Sequence, residues 1–134
     1  MKTFKLISLK IIDNDMLEEP VTLLDGLIIN REDEKNQWVI EAYVDQSYLA
    51  FFQNMYDSEN DVLIEVKITK ENNTPATFMT SVIDVNLIGD KMNVLFIGTI
   101  VDQRKEIIEE ELKSLIEQGY QGEALLHKFK EQID

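Results

Sequence analysis

The sequence predicts a mainly β protein with some α structure: a small antiparallel β-barrel core of about six strands with one inserted short helix, followed by a C-terminal two-helix hairpin. Apolar and polar residues alternate with period two in several segments between residues 2 and 101, as expected of strands. The stretch 46–57 and the region after Val101 change to helical spacing. Because so many twisted strands leave exposed edges unless the sheet closes, a barrel is favoured over an open sandwich.

The first three strands are predicted at 2–12, 21–30 and 37–45. In the first strand, apolar residues occupy both parities, so at least one face is expected to be buried. The second contains Asp25-Gly26 between two apolar runs, which indicates a bulge or a bend. In the third, Trp38 and every second residue after it form an apolar face. The polar loop NREDEKN between the second and third strands is typical of a hairpin connection.

Three consecutive carboxylates, Glu32, Asp33 and Glu34, lie in that loop just before the only tryptophan. They could form a metal or acid–base site, or they could be the hydrated tip of the hairpin. Acids that do chemistry are usually desolvated and perturbed, whereas a polar loop keeps its carboxylates in water. The hairpin tip is therefore the favoured interpretation.

Two other candidates for chemistry are weaker. Asp13-Asn14-Asp15 begins like a calcium loop, but the glycine and the distal glutamate that such a loop needs are missing. His127, the only histidine, lies in an amphipathic segment and is expected at a surface or boundary position of a helix. We accordingly expect no catalytic residue, no metal and no cofactor.

The stretch 46–57 predicts a short helix that covers or plugs one end of the barrel, with Asp45 or Ser47 as its N-cap. Its aromatic residues have two possible roles. They could pack as core or lid, or they could line a small-molecule pocket at the barrel mouth. The residues concerned are Tyr48, Phe51, Phe52 and Tyr56.

The last three strands are predicted at 61–70, 76–88 and 92–101. Gly89-Asp90 predicts a compact turn that joins the last two as a hairpin. Gly98 lies inside the final strand, where glycine is expected to permit close backbone packing or a bend of the barrel.

Two amphipathic helices are predicted at about 103–118 and 122–132, with Gly119 at the position of a C-terminal cap. We therefore divide the chain into a β-barrel core domain, 1–102, and a C-terminal helix pair, 103–134, packed on or beside it. The apolar stripes could pack within the chain or could form a face for a partner or a second copy. This possible interaction face consists of Ile107, Ile108, Leu112, Leu115, Ile116, Leu125, Leu126 and Phe129.

Composition narrows the classes of partner. The 134 residues carry a formal charge of −13, which repels phosphate backbones and anionic lipid, so nucleic acid and membrane surfaces are unfavourable partners. A basic protein partner or plain solubility fits the charge better. The chain has no cysteine and therefore no disulfide or thiol chemistry. With no apolar run long enough for membrane insertion, a cytoplasmic location is expected.

Several blocks of the sequence resemble the YwpF-like family of small Gram-positive bacterial proteins. They are MKTFKLISLK, VTLLDGLIINREDEKNQWVIEAY, VKITK, PATF and VLFIGTI, and the similarity is strongest over residues 1 to about 100. The resemblance implies a β-barrel followed by a two-helix pair. It also implies that the barrel is similar to the tube-forming barrels of type VI secretion. It carries no functional residue across, because none of the blocks is a catalytic motif.

The function expected from these observations is a non-enzymatic protein-interaction or assembly module that binds another protein or its own copies. The alternative is a small-molecule-binding or enzymatic barrel with a pocket near the aromatic helix 46–57. The two differ in where the binding surface should lie: on the helix pair in the first case, and at the barrel mouth in the second.

Overall fold

The computed structural model describes residues 1–12, 18–101 and 105–133, with the backbone alone for 105–109 and 132–133. The side chains of Ile107 and Ile108, and the stretch Asp13-Asn14-Asp15, therefore lie outside the described part of the chain. The described strands are β1 (Lys2–Ile12), β2 (Glu18–Val21), β3 (Asp25–Asn30), β4 (Gln37–Asp45), β5 (Asp61–Ile68), β6 (Ala76–Ile88) and β7 (Lys91–Ile100). The described helices are a 3-10 turn (Gln46–Tyr48), α1 (Leu49–Ser58), α2 (Lys105–Glu117) and α3 (Gly122–Ile133).

Six of these strands close into an antiparallel barrel in the order β1-β3-β4-β7-β6-β5, with β5 pairing back onto β1. The predicted barrel is thus confirmed. The second predicted strand, however, is two strands. Residues 2–5 of β1 pair with β3, whereas residues 9–12 pair with the short β2. One edge of the long β1 therefore pairs with β3 near its beginning and with β2 near its end. Residues 22–24 connect β2 to β3 and belong to neither strand.

The barrel interior holds a continuous apolar core. A register shift between Leu6 and Ser8 changes which parity of β1 faces inward, so Leu6 is buried on one side of it and Leu9 and Ile11 on the other. Trp38 packs edge-on against Phe78, with ring centroids 5.4 Å apart. Other fully buried members of this core are Ile28, Ile40, Ala42, Val44, Ile64, Met92, Val94 and Phe96.

Helix α1 packs against the barrel core, as the sequence predicts. The Asp45 carboxylate accepts a hydrogen bond of 2.9 Å from the Ser47 backbone N–H, which starts the 3-10 turn that leads into α1. That hydrogen bond is the main reason that the pKa of Asp45 lies below its ordinary value. Phe52 is fully buried and meets Phe96 edge-on, with ring centroids 5.9 Å apart. This ring anchors α1 to the barrel.

Helices α2 and α3 pack on the outside of the barrel. Leu63 of β5 and Met79 of β6 form a second apolar core with the helix pair. The link between the helices is a Schellman cap, because Gly119 N–H donates to Ile116 and Tyr120 N–H donates to Leu115. Gly119 has φ +98°, so the predicted C-cap glycine is confirmed. Among the described residues, no helix is both long enough and apolar enough to cross a bilayer.

Candidate functional site

The three consecutive carboxylates lie at the tip of the β3–β4 hairpin, as predicted, and they interact with different groups. A Glu32 oxygen is 2.9 Å from the N-terminal ammonium of Met1. That hydrogen bond, reinforced by the opposite charge, holds the pKa of Glu32 below its ordinary value. Asp33 accepts a hydrogen bond of 2.9 Å from the Gln37 backbone N–H, which closes the turn. Glu34 is exposed.

Glu32 therefore pairs with the N-terminal ammonium, and Asp33 stabilises the turn of the hairpin. Across residues 1–12, 18–101 and 105–133, no three His, Cys, Asp or Glu side chains are grouped so that they could hold a metal ion. His127 is exposed on α3, where its Nε2 lies 3.2 Å from Glu131.

The aromatic residues of the 46–57 region have different environments. The Tyr48 hydroxyl accepts a hydrogen bond of 2.9 Å from the Thr22 backbone N–H. Phe52 is buried in the barrel core, whereas Tyr56 is 41% exposed. Phe51 packs edge-on against Phe52 at 5.0 Å, and its other side faces a cleft. Of the four, only Phe51 lines that cleft.

This cleft, which we call the acidic cleft, has a volume of about 610 Å³ and lies between the end of α1 and the beginning of α3. Strands contribute its remaining walls: the end of β1, the edge strand β2 and the beginning of β5. Half of its lining is apolar, and the rest is mainly acidic or amide. The lining residues are Ile11, Ile12, Glu19, Phe51, Met55, Ser58, Glu59, Asn60, Asp61, Val62, Glu123, Ala124, Leu126 and His127.

The cleft carries a strongly negative charge. Of its four carboxylates, Asp61 is paired, with Lys130 Nζ at 3.2 Å. Glu19, Glu59 and Glu123 have no basic partner within the described part of the chain. Helix α1 ends here at Ser58 and has no basic residue in its last turn. Its C-terminal carbonyls therefore add partial negative charge to the same region.

The sequence did not reveal this cleft because its residues come from separated segments that share no motif. Glu19 lies in β2, residues 51–62 span α1 and the beginning of β5, and residues 123–127 lie at the beginning of α3. One signal was available: the polar run DSEND, residues 57–61, directly follows the aromatic helix. A run of acids and amides next to an apolar helix face indicates a surface site in which solvated polar residues border apolar ones.

The residues of the possible interaction face of the helix pair differ in burial. Five of its residues are at most 7% exposed, in the core between the helices and the barrel: Leu112, Leu115, Leu125, Leu126 and Phe129. Ile116 is 41% exposed, and Ile107 and Ile108 lie outside the described side chains. While the pair is docked, the five buried residues are therefore occupied within the chain.

Comparison with known proteins gives a consistent picture. Residues 2–132 match the family model described as YwpF-like protein. The chain is 37% identical over 136 residues to the "Uncharacterized protein YwpF" of Bacillus subtilis (strain 168), covering 99% of this chain and 100% of that protein. A crystal structure of a hypothetical protein from Staphylococcus aureus has a TM-score of 0.75 and 30% identity, covering 97% of this chain and 91% of that one.

Proposed function

The chain belongs to the YwpF-like protein family, and on that premise we propose that it is a non-enzymatic protein-interaction module whose recognition surface is the acidic cleft. The observation that carries the proposal is the cleft itself, an opening of about 610 Å³ with an apolar floor and an acidic rim. Its size falls in the range of about 300–1,000 Å³ that is typical of pockets for small ligands, and an opening of that size also has room for side chains of a partner.

The helix pair contributes to recognition by building one wall of the cleft. Leu125 and Phe129 hold α3 on the barrel, since both are fully or almost fully buried. This anchoring places Glu123, Ala124 and His127 along the cleft. A partner would thus contact the exposed face of α3, while the buried stripe keeps that face in position.

The polar groups of the cleft favour binding over catalysis. Ser58 Oγ donates a hydrogen bond of 3.0 Å to the Met55 carbonyl, and His127 lies beside Glu131. A nucleophile needs a base within hydrogen-bond reach and oriented towards it, and these two side chains instead bond to different neighbours. We therefore assign the cleft a role in recognition. The likeness to type VI secretion barrels and the cytoplasmic location stay predictions.

The test uses Ala124, which is exposed and lines the cleft. Ala124→Trp would fill the cleft without removing a core side chain, and Ala124→Ser is the matched control. Each protein, immobilised, is incubated with lysate of the cells that naturally produce it, and captured proteins are quantified by mass spectrometry. We expect a protein that binds wild type and Ala124→Ser but is reduced about tenfold with Ala124→Trp.

The captured protein is then purified and titrated against all three forms. Direct binding with the same order of affinities would support the proposal. Equal binding by wild type and Ala124→Trp would place recognition elsewhere and contradict it, as would no binding by any form.

A small molecule is the second candidate occupant, because Phe51 and Met55 offer it an aromatic and thioether floor. A panel of metabolites screened by thermal shift separates the two functions. A compound that raises the melting temperature of wild type but not of Ala124→Trp would favour this alternative.

A further inference from the structure

We propose that the occupant of the acidic cleft is a cationic amphipathic segment of another protein. Its apolar side chains would enter the floor of the cleft, and its Lys or Arg side chains would meet Glu19, Glu59 and Glu123. This inference rests on the proposed function and specifies the chemistry of the partner.

Unpaired carboxylates supply the first argument. Three of the four in the cleft have no basic partner among the described residues, and the chain as a whole carries −13. Carboxylates that face one opening create a negative potential there, which attracts a cationic partner and repels an anionic one. The charge of Lys130 is already engaged by Asp61, with Nζ 3.2 Å from Oδ1.

The C-terminal end of α1 strengthens this preference, and Glu123 offsets the opposing partial charge of α3. The C-terminal end of α1 carries partial negative charge, and Glu59, in the left-handed conformation at φ +56°, follows it directly. The N-terminal end of α3 is partly positive, but Glu123 lies in its first turn and offsets it. A guanidinium or ammonium group near 58–60 would therefore meet both a carboxylate and a helix C-terminus.

The apolar floor of the cleft determines that the partner carries apolar side chains as well as basic ones. Phe51 and Met55 are half-buried and Ile12 is only partly covered, so apolar surface stays in contact with water in the empty cleft. A purely hydrophilic polycation would leave that surface wet, whereas an amphipathic segment would cover it. Burial of the apolar floor and neutralisation of the acidic rim would then both contribute to the free energy of binding.

A second copy of this chain is a poor occupant on charge, because each copy carries −13. Light scattering across a concentration series tests this directly. A dimer that forms in wild type and is lost in Ala124→Trp would overturn the proposal.

The main experiment measures binding of three labelled helical peptides to the full chain by fluorescence anisotropy. All three have the same pattern of leucines, and their polar positions are all lysine, all glutamine or all glutamate. We expect the lysine peptide to bind at least about tenfold more tightly than the glutamine peptide, and the glutamate peptide to bind least. Binding of the lysine peptide should weaken when salt rises from about 50 mM to about 300 mM.

Charge reversal locates the binding site. The double variant Glu59→Lys/Glu123→Lys should lower the affinity for the lysine peptide about tenfold or more. The control is Glu34→Lys/Glu71→Lys, which makes the same change in net charge. Glu71 follows the end of β5, whose beginning lines the cleft. Glu34 lies in the β3–β4 loop beside the beginning of β1, where Lys2 pairs with Asn30, whereas the other end of β1 lines the cleft. This control variant should change the affinity for the lysine peptide by about twofold at most.

The outcomes separate this inference from the proposed function. Equal losses in the two double variants, or equal binding of the lysine and glutamine peptides, would overturn the cationic partner. If Ala124→Trp nevertheless abolishes binding of the protein captured from lysate, the cleft keeps its function with a partner of other chemistry. If Ala124→Trp changes the binding of neither the lysine peptide nor the captured protein, the cationic partner and the recognition role of the cleft are both contradicted. Circular dichroism of each variant checks that the fold is intact.

Discussion

Gly98 of β7 lies directly against the backbone of Met79 in β6. A Cβ placed at position 98 would overlap the Met79 carbonyl oxygen and would lie 2.7 Å from Thr80 Cα. These are backbone atoms of a paired strand, which cannot rotate away as the end of a side chain can. The sequence interpretation of Gly98 as a site of close backbone packing is therefore confirmed, and the reason is the approach of β6.

Gly98→Ala should be strongly destabilising, because the methyl group forces β6 and β7 apart within a closed barrel. We expect a loss of about 3 kcal/mol or more in the free energy of unfolding, measured by urea titration. Gly89→Ala is the control: Gly89 has φ +64° but no heavy atom within 4 Å of the added Cβ, so only backbone strain of about 1 kcal/mol is expected. Equal losses in both variants would contradict the steric explanation.

Leu112→Asp should release the helix pair from the barrel, because Leu112 is 2% exposed in the core that joins them. Burying a carboxylate there should cost about 3 kcal/mol or more. Hydrogen exchange should show faster exchange across α2 and α3, with protection retained in β4 and β7. Ile116→Asp, at a position that is 41% exposed, is the control. Equal acceleration in the barrel strands would contradict the division into domains 1–102 and 103–134, which stays a prediction until then.

Period-two patterns predicted most of the strands because each has one side towards a common core. The inward residues of β4, which are Ile40, Ala42 and Val44, follow the predicted parity throughout. In β1 the register shift between Leu6 and Ser8 reverses parity halfway, which is why apolar residues occupy both parities in the sequence. A pattern of alternation cannot place such a shift, since pairing with β5 determines it.

The candidate site was less accessible to sequence reasoning than the fold. A helix stripe specifies that Leu112 and Phe129 must be buried, but it does not specify against which surface. That surface is formed by Leu63 and Met79, which face away from the barrel core. Both interrupt the alternation of apolar and polar residues in their strands, but the sequence does not show what covers them. The acidic cleft depends on where α3 docks relative to α1. Tertiary placement alone brings Glu59 and Glu123 to one opening.

Phe52→Ala should destabilise the end of the barrel, since the Phe52 ring is fully buried and packs edge-on against Phe96. We expect a loss of about 3–5 kcal/mol in the free energy of unfolding from the lost contacts and the cavity. Tyr56→Ala removes a ring of similar size at a position that is 41% exposed and should cost about 1 kcal/mol or less. A small effect of Phe52→Ala in urea titration would show that α1 does not anchor through this ring.

Glu32→Gln should lower stability at neutral pH and have progressively less effect in acid. The N-terminal ammonium holds the pKa of Glu32 below its ordinary value of 4.5. The folded chain therefore binds this proton less readily than the unfolded chain. The stabilising contribution of the ion pair is thus complete above pH 4.5 and is lost as the pH falls through the lower, folded-state pKa.

The measurement for Glu32 is the difference in urea midpoint between wild type and Glu32→Gln, taken at several pH values on protein that begins at Met1. The difference should be largest near neutral pH and should shrink towards zero in acid. Glu34→Gln, which removes an exposed carboxylate at the same hairpin tip, is the control. Because the N-terminal ammonium is the main cause of the pKa shift, acetylating it should abolish the effect in wild type. An undiminished difference after acetylation would mean that Lys2, at 3.9 Å, is the principal partner.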